Sequence, residues 1–117
     1  MPKSNNISDP NLIALLRRIN QTKTPLYRVV AKKILAPRRQ RPAVNLGTIE
    51  RHTETGDTVV VPGKVLAAGK LEHNVTVAAL SFSEQAQKQI ENSNGVCLTI
   101  AELIEKNPGG TGIKLLT

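Results

Sequence analysis

Apolar residues recur at helical spacing through Leu12, Ile13, Leu15, Leu16 and Ile19, and again through Leu26, Val29, Val30 and Ile34. Each series opens on a helix-start signal. Asp9 can cap free backbone donors ahead of Pro10, and Thr24-Pro25 repeats the arrangement. Two amphipathic helices joined by a short turn near residues 21–24 are therefore expected, after a flexible lead over Ser4–Ser8. The segment Ala36-Pro37-Arg38-Arg39-Gln40-Arg41-Pro42 brackets three arginines with prolines, which forbids a regular helix and favours an extended, exposed path.

The period changes downstream. Val44-Asn45-Leu46 reads as a short strand and Thr48–His52 as one helical turn. Asp57–Val61 reads as a strand stopped by Pro62-Gly63, and Lys64–Ala68 as a second one ending at Gly69. On this reading the glycines turn two hairpins. Asn74–Leu80 is the clearest strand. Ser81-Phe82-Ser83-Glu84 fits a capping box opening a helix through Phe82, Ala86 and Ile90, with Gly95 placed to end it. Val96–Leu98 is another strand, and Thr99-Ile100-Ala101-Glu102 a second capping box. Its helix stops near Asn107-Pro108, ahead of a last apolar stretch from Ile113 to Leu116. The expected class is α+β in one domain: residues 1–42 form a basic helical head with an extended Arg-rich segment, and residues 43–117 a mixed β/α core containing a βαβα-like unit.

Composition supports one modest core: 117 residues, of which 39% are apolar and 8 are Gly. Charge is the distinctive property. The net charge is +7, and residues 1–58 hold all of the excess, with eleven Lys and Arg against four Asp and Glu. From Pro10 to Ile49 there is no acid at all. Surfaces normally mix signs, so a stretch of one sign this long implies a polyanionic partner, nucleic acid ahead of an acidic membrane.

Chemistry of other kinds finds little support. Gly63 to Lys70 has five residues between its glycines where a phosphate-binding loop has four, and Leu71 stands where a magnesium-binding hydroxyl is required. His52, His73 and Cys97 are too far apart in the chain to suggest a metal site, and the histidines read as surface residues. No Gly-x-Ser-x-Gly elbow occurs, and Cys97 sits in an apolar strand where a thiol is inert. Glu84 and Glu102 are accounted for by capping, Glu91 and Glu105 by solvated helix positions. A lone cysteine and the lack of an apolar leader or membrane-length run lead to an intracellular expectation, with no disulfide, cofactor or metal, no small-molecule substrate and no enzymatic activity. The two aromatics, Tyr27 and Phe82, fit apolar helical faces and cannot build a base-stacking platform. Structured RNA, read by backbone and shape, suits this inventory best. Contact with six to nine phosphates implies a log-log salt slope of very roughly −4 to −8.

Three runs then carry a resemblance: Leu35–Ile49 (LAPRRQRPAVNLGTI), Gly56–Glu84 (GDTVVVPGKVLAAGKLEHNVTVAALSFSE) and Cys97–Asn107 (CLTIAELIEKN). With the leading helix Asn11–Asn20 they resemble the archaeal and eukaryotic large-subunit ribosomal protein eighteen-e family, a distant relative of bacterial large-subunit protein fifteen. The length is similar to the archaeal form. Thr48 departs from the basic residue expected after VNL, so no RNA contact is carried onto it. The resemblance implies irregular strand-strand-helix units behind basic helices. It also implies a cytoplasmic structural constituent of the large ribosomal subunit, partnered by large-subunit ribosomal RNA and neighbouring ribosomal proteins. Exposure and charge rank Arg38, Arg39 and Arg41 first as RNA contacts and Arg17, Arg18, Arg28, Lys32 and Lys33 next, with Lys23 and Arg51 completing the set. Two alternatives remain open: a helix-turn-helix-like DNA-binding regulator, and an RNA-modifying or nucleotide-using enzyme relying on Gly63 and Lys64.

Overall fold

Val59, Val60, Val61 and Val65 are consecutive or near-consecutive β-branched residues, and none has any solvent exposure. A strand with both faces buried needs a layer on each side, which is the situation of a parallel sheet. The computed structural model of the chain describes residues 10–22, 24–35 and 43–116, and it is built around that strand. The elements run α1 (Pro10–Thr22), α2 (Pro25–Leu35), β1 (Ala43–Asn45), α3 (Leu46–His52), β2 (Thr58–Leu66), β3 (Thr76–Phe82), α4 (Glu84–Asn92), β4 (Val96–Thr99), α5 (Ile100–Lys106) and β5 (Ile113–Leu115). The sheet order is β1-β2-β3-β4, with β5 beside β2 on the edge it shares with β1, and every pairing is parallel. The α+β class and the placing of helices before a β2-β3-α4 strand-strand-helix run agree with the sequence reading.

Alternation along the strands divides the core in two. Val59, Val61, Val65, Val77 and Ala79 pack with Leu46 and Ile49 of α3 and Ala86 and Ile90 of α4. Val60, Ala78 and Leu98 pack with Leu15 and Ile19 of α1, Tyr27, Val30 and Ile34 of α2, and Ile100, Leu103 and Ile104 of α5. The two leading helices thus share a core with the sheet.

Several local expectations are corrected. Pro62-Gly63 does not end a strand. Val61 pairs with Ala79 but Lys64 with Ser81, so β2 carries one extra residue there, a bulge through which it continues to Leu66. A bulge accommodates a proline because the ladder is already broken at that point. No hairpin joins the strands among the described residues. Instead residues 67–75 form a non-helical crossover between parallel neighbours, fastened by burial of Leu71 and Val75 and by three hydrogen bonds: Gly47 N to Ala68 O (3.0 Å), Glu72 N to Glu50 Oε1 (2.8 Å) and Ser93 Oγ to Leu71 O (2.8 Å). His73 belongs to the same fastening and is not a free surface histidine: Nδ1 lies 3.1 Å from Glu50 Oε1 and Nε2 2.8 Å from Thr53 Oγ1.

At α4 the N-cap is Ser83, whose Oγ accepts from Ala86 N at 3.1 Å; Phe82 ends β3 and Glu84 does not cap. The second box is as expected, with Thr99 Oγ1 accepting from Glu102 N and Glu102 Oε1 from Thr99 N. In the head, Ile13 and Val29 are exposed, while Tyr27 is buried as its place on an apolar helical face implies. Val44-Asn45-Leu46 divides between β1 and the start of α3. The lead through Asp9, Lys23 and residues 36–42 lie outside the described residues.

Gly95 does not end α4 through a left-handed conformation; Asn94 adopts it, at φ 64°. A side chain at Gly95 would bring its Cβ to 2.5 Å from the Val75 carbonyl oxygen, which also accepts from Val96 N. Gly95→Ala should therefore lower stability by about 1–3 kcal/mol, as forced overpacking does. Gly109→Ala, where the nearest atom is at 3.8 Å, should be close to neutral. Thermal melts of the two variants check the contrast.

Candidate nucleic-acid interface

Burial of Leu15 and Ile19 turns the opposite side of α1 outward, where Arg17 is exposed. Burial of Tyr27, Val30 and Ile34 does the same in α2. Arg28 and Lys32, four residues apart and so one above the other on the helix, are exposed there, and Lys33 is half-buried at the margin. Lys32 and Lys33 also occupy the last turn of α2, where cations favour the helix dipole. No carboxylate among the described residues pairs with Arg17, Arg28 or Lys32.

The helices are anchored on the other end of the chain. The Tyr27 hydroxyl donates to Asn107 O at 2.6 Å, and Thr24 Oγ1 to Pro108 O at 2.7 Å, both in the loop that follows α5. Burial raises the Tyr27 pKa above the usual phenol value, which keeps this donor protonated. The cationic faces of α1 and α2 are therefore fixed to the sheet rather than carried on a loose arm.

Not every sequence-predicted cation joins this face. Arg18 stands at its rim, with Nη2 2.5 Å from Glu105 Oε1 of α5, so the tail supplies an acid to a stretch that has none. Arg51 lies on α3, across the sheet from α1 and α2, where its Nη2 donates to Thr48 Oγ1 at 3.4 Å. Arg38, Arg39, Arg41 and Lys23 lie outside the described residues. In the second half, Lys114 is 2.9 Å from Asp57 Oδ2. The Asp57 carboxyl is held below its usual range, first by the backbone N–H of Glu54 and then by Lys114. Sequence reasoning missed the Arg18–Glu105 pair, since nothing local links residues in α1 and α5.

The rival chemistries fare poorly. Gly63 is buried in the β2 bulge, so Gly63–Lys70 is not a loop surrounding a phosphate. Burial, and then the charge of Glu91, pushes the Cys97 thiol up to about 11, away from nucleophilic use near neutrality. A cleft of about 170 Å³ lined by Gly56, Asn74, Thr76 and Asn94 is smaller than the roughly 300–1,000 Å³ of most small-molecule sites. Helix α2 contains no Asn or Gln, the residues suited to reading adenine edges, which leaves it poorly equipped as a DNA recognition helix.

Comparison with known proteins settles the family. The sequence profile described as ribosomal protein 60S L18 and 50S L18e matches residues 1–117. The chain belongs to this family. Among its relatives, a protein of Methanococcus maripaludis is 45% identical over 114 residues, covering 97% of this chain and 95% of its own length. One from Methanothermobacter thermautotrophicus is 42% identical over 113 residues, covering 93% of each chain, and one from Archaeoglobus fulgidus is 42% identical over 113 residues, covering 93% of this chain and 97% of its own. Each is named large ribosomal subunit protein eL18. Membership in a ribosomal family accords with the expectation of a protein that is not an enzyme and displaces the DNA-regulator and nucleotide-enzyme readings.

The Arg18–Glu105 pair is exposed on both sides, with 43% and 61% of the side-chain surfaces accessible. A double-mutant cycle with Arg18→Ala and Glu105→Ala should give a coupling of about 0.2–1 kcal/mol in urea unfolding at low salt. It should fade toward zero near 1 M NaCl.

Proposed function

We propose that the chain is a structural constituent of the cytoplasmic large ribosomal subunit and that it holds ribosomal RNA through Lys and Arg contacts to phosphate, beside neighbouring ribosomal proteins. Arg17, Arg28, Lys32 and Lys33 form the part of this interface carried by α1 and α2. Arg38, Arg39 and Arg41, with Lys23, extend it through the segments between the described elements. Arg18 is shared with Glu105, and Arg51 would meet RNA from the other side of the sheet. The observation that carries the reading is the outward array of Arg17, Arg28 and Lys32. It is unpaired among the described residues, on helices whose inner faces are locked into the core of a chain belonging to a ribosomal family.

Phosphate contacts of this kind release counterions, so affinity must fall steeply with salt. Replacing Arg38, Arg39 and Arg41 together by Ala should weaken binding to protein-stripped large-subunit RNA. It should also flatten the log-log salt slope by about 2–3, roughly one per lost cation, while the thermal midpoint stays nearly unchanged. Filter binding between 50 and 300 mM KCl, with random duplex DNA as competitor, checks this. Undiminished binding would remove the segment from the interface, and equal affinity for the duplex would defeat the RNA reading.

A further inference from the structure

The sheet is covered on both faces along most of its length but not at β1 and the carboxyl ends of β2 and β3. Ala43 pairs with Lys64 and Lys64 with Ser81, a row across three strands, and all three residues are exposed. In the next row of this face Asn45 pairs with Leu66; Asn45 is exposed and Leu66 half-buried. Their chain neighbours Val44 and Val65 are buried among the α3 and α4 side chains. Because successive side chains point to opposite faces of a strand, Ala43, Asn45 and Lys64 lie on the side of α1, α2 and α5, which does not reach this far along the sheet, and Ser81 joins the row as the pairing partner of Lys64.

Three features say what meets this face. It carries a cation, Lys64, and no acidic residue occurs in β1, β2 or β3. Asn45 is the N-cap of α3, yet its side chain makes no capping hydrogen bond, which leaves an exposed amide with donors and an acceptor to offer. And β1 begins where the acid-free head ends, on the side of the sheet that holds Arg28 and Lys32. A flat surface with one ammonium, one amide and one hydroxyl, without an aromatic platform or an apolar pocket, fits a sugar–phosphate strand.

We propose that the open face at β1 and the carboxyl ends of β2 and β3, centred on Lys64 with Asn45 and Ser81, is a second contact surface for the RNA backbone. It continues the interface of the leading helices onto the sheet. This rests on the RNA-binding reading above and adds to it a residue from the half of the chain that is neutral overall. Lys64 supplies the charge contact, and Asn45 and Ser81 supply neutral hydrogen bonds to phosphate or ribose oxygens.

The test measures binding of the full chain to protein-stripped large-subunit RNA of an archaeal ribosome, in excess tRNA, over 50–300 mM KCl. Lys64→Ala should lower affinity several-fold and flatten the salt slope by about 1. Lys64→Arg should retain both. Lys88→Ala, on α4 across the sheet, should match the parent chain. Ala43→Glu, which sets a carboxylate beside Lys64, should weaken binding more than Lys64→Ala does. Lys64 and Ala43 are exposed, so melting curves of these variants should overlay that of the parent. Parent-like affinity and slope for Lys64→Ala would overturn the proposal, as would equal losses for Lys64→Ala and Lys88→Ala. A parent chain that shows no preference for the ribosomal RNA would instead bring down the reading on which the proposal rests. Loss on Lys64→Ala of a neighbouring ribosomal protein's binding, with RNA binding intact, would assign the face to protein and also overturn it.

Discussion

Burial of the Val59–Val61 stretch of β2 on both faces is the constraint from which the rest follows. A strand without solvent on either side cannot be stabilised by one helix layer. α3 and α4 cover one face, while the other is covered by α5 together with α1 and α2. The leading helices are therefore structural parts of the core before they are anything else. Their apolar stripes point inward because Val60, Ala78 and Leu98 require cover, and their cations point outward because a buried unpaired charge costs far more than burial of its stem returns. The cationic surface is the geometric complement of the sheet's demand.

Like charges so arranged repel, and the fold relieves only part of this. Glu105 neutralises Arg18 at the rim, and Asp57 takes up Lys114 elsewhere. Exposed pairs of this kind contribute at most about 1 kcal/mol each. Against that stand the buried side chains of Leu15, Ile19, Tyr27, Val30 and Ile34, each contributing on the order of 1.5–3 kcal/mol by removal from water. Packing of these side chains, rather than ion pairing, therefore holds α1 and α2 on the sheet. Under the proposed reading, a partner RNA would meet cations carried on packed helices, so less ordering entropy would oppose association.

What could be read from the residues was whatever depends on neighbours in the chain. The starts at Pro10 and Pro25 and the Thr99–Glu102 box are local chemistry, and they were legible. Pro62-Gly63 looked like a turn because the dipeptide usually is one; in the structure β3 pairs with β2 on both sides of the bulge and β1 pairs with it beyond, and long-range ladders outweigh a local turn preference. The crossover 67–75 was hidden for a related reason, since its fastening runs through Glu50, Thr53 and Ser93, distant in sequence. Gly95 reads from sequence as a helix terminator, whereas Asn94 takes that conformation and the close approach of Gly95 to Val75 O leaves no trace in a propensity. The candidate site behaved likewise. Which residues are cationic was plain, whereas Arg18's partner and Arg51's position across the sheet depend on tertiary packing.

The same distinction bears on the proposed mode of binding, in which phosphate contacts rather than base contacts would dominate. Its helices offer arginine and lysine in fixed places with no base-reading amide on α2, and its sheet offers no stacking surface, since Tyr27 is consumed by the core and Phe82 lies half-buried against the α4 side. Under that proposal, selectivity would come from the spacing of cations over a rigid frame. That spacing is only as firm as the joint between head and sheet, the packing of α1 and α2 on the sheet, which the bonds from Tyr27 to Asn107 and from Thr24 to Pro108 reinforce for α2. Together they bear on whether Arg17, Arg28 and Lys32 present one shape or many. A folded polyanion with its own fixed phosphate spacing distinguishes those cases, whereas a flexible single strand does not. The rigidity of the joint therefore favours structured RNA as the partner more strongly than the net charge does.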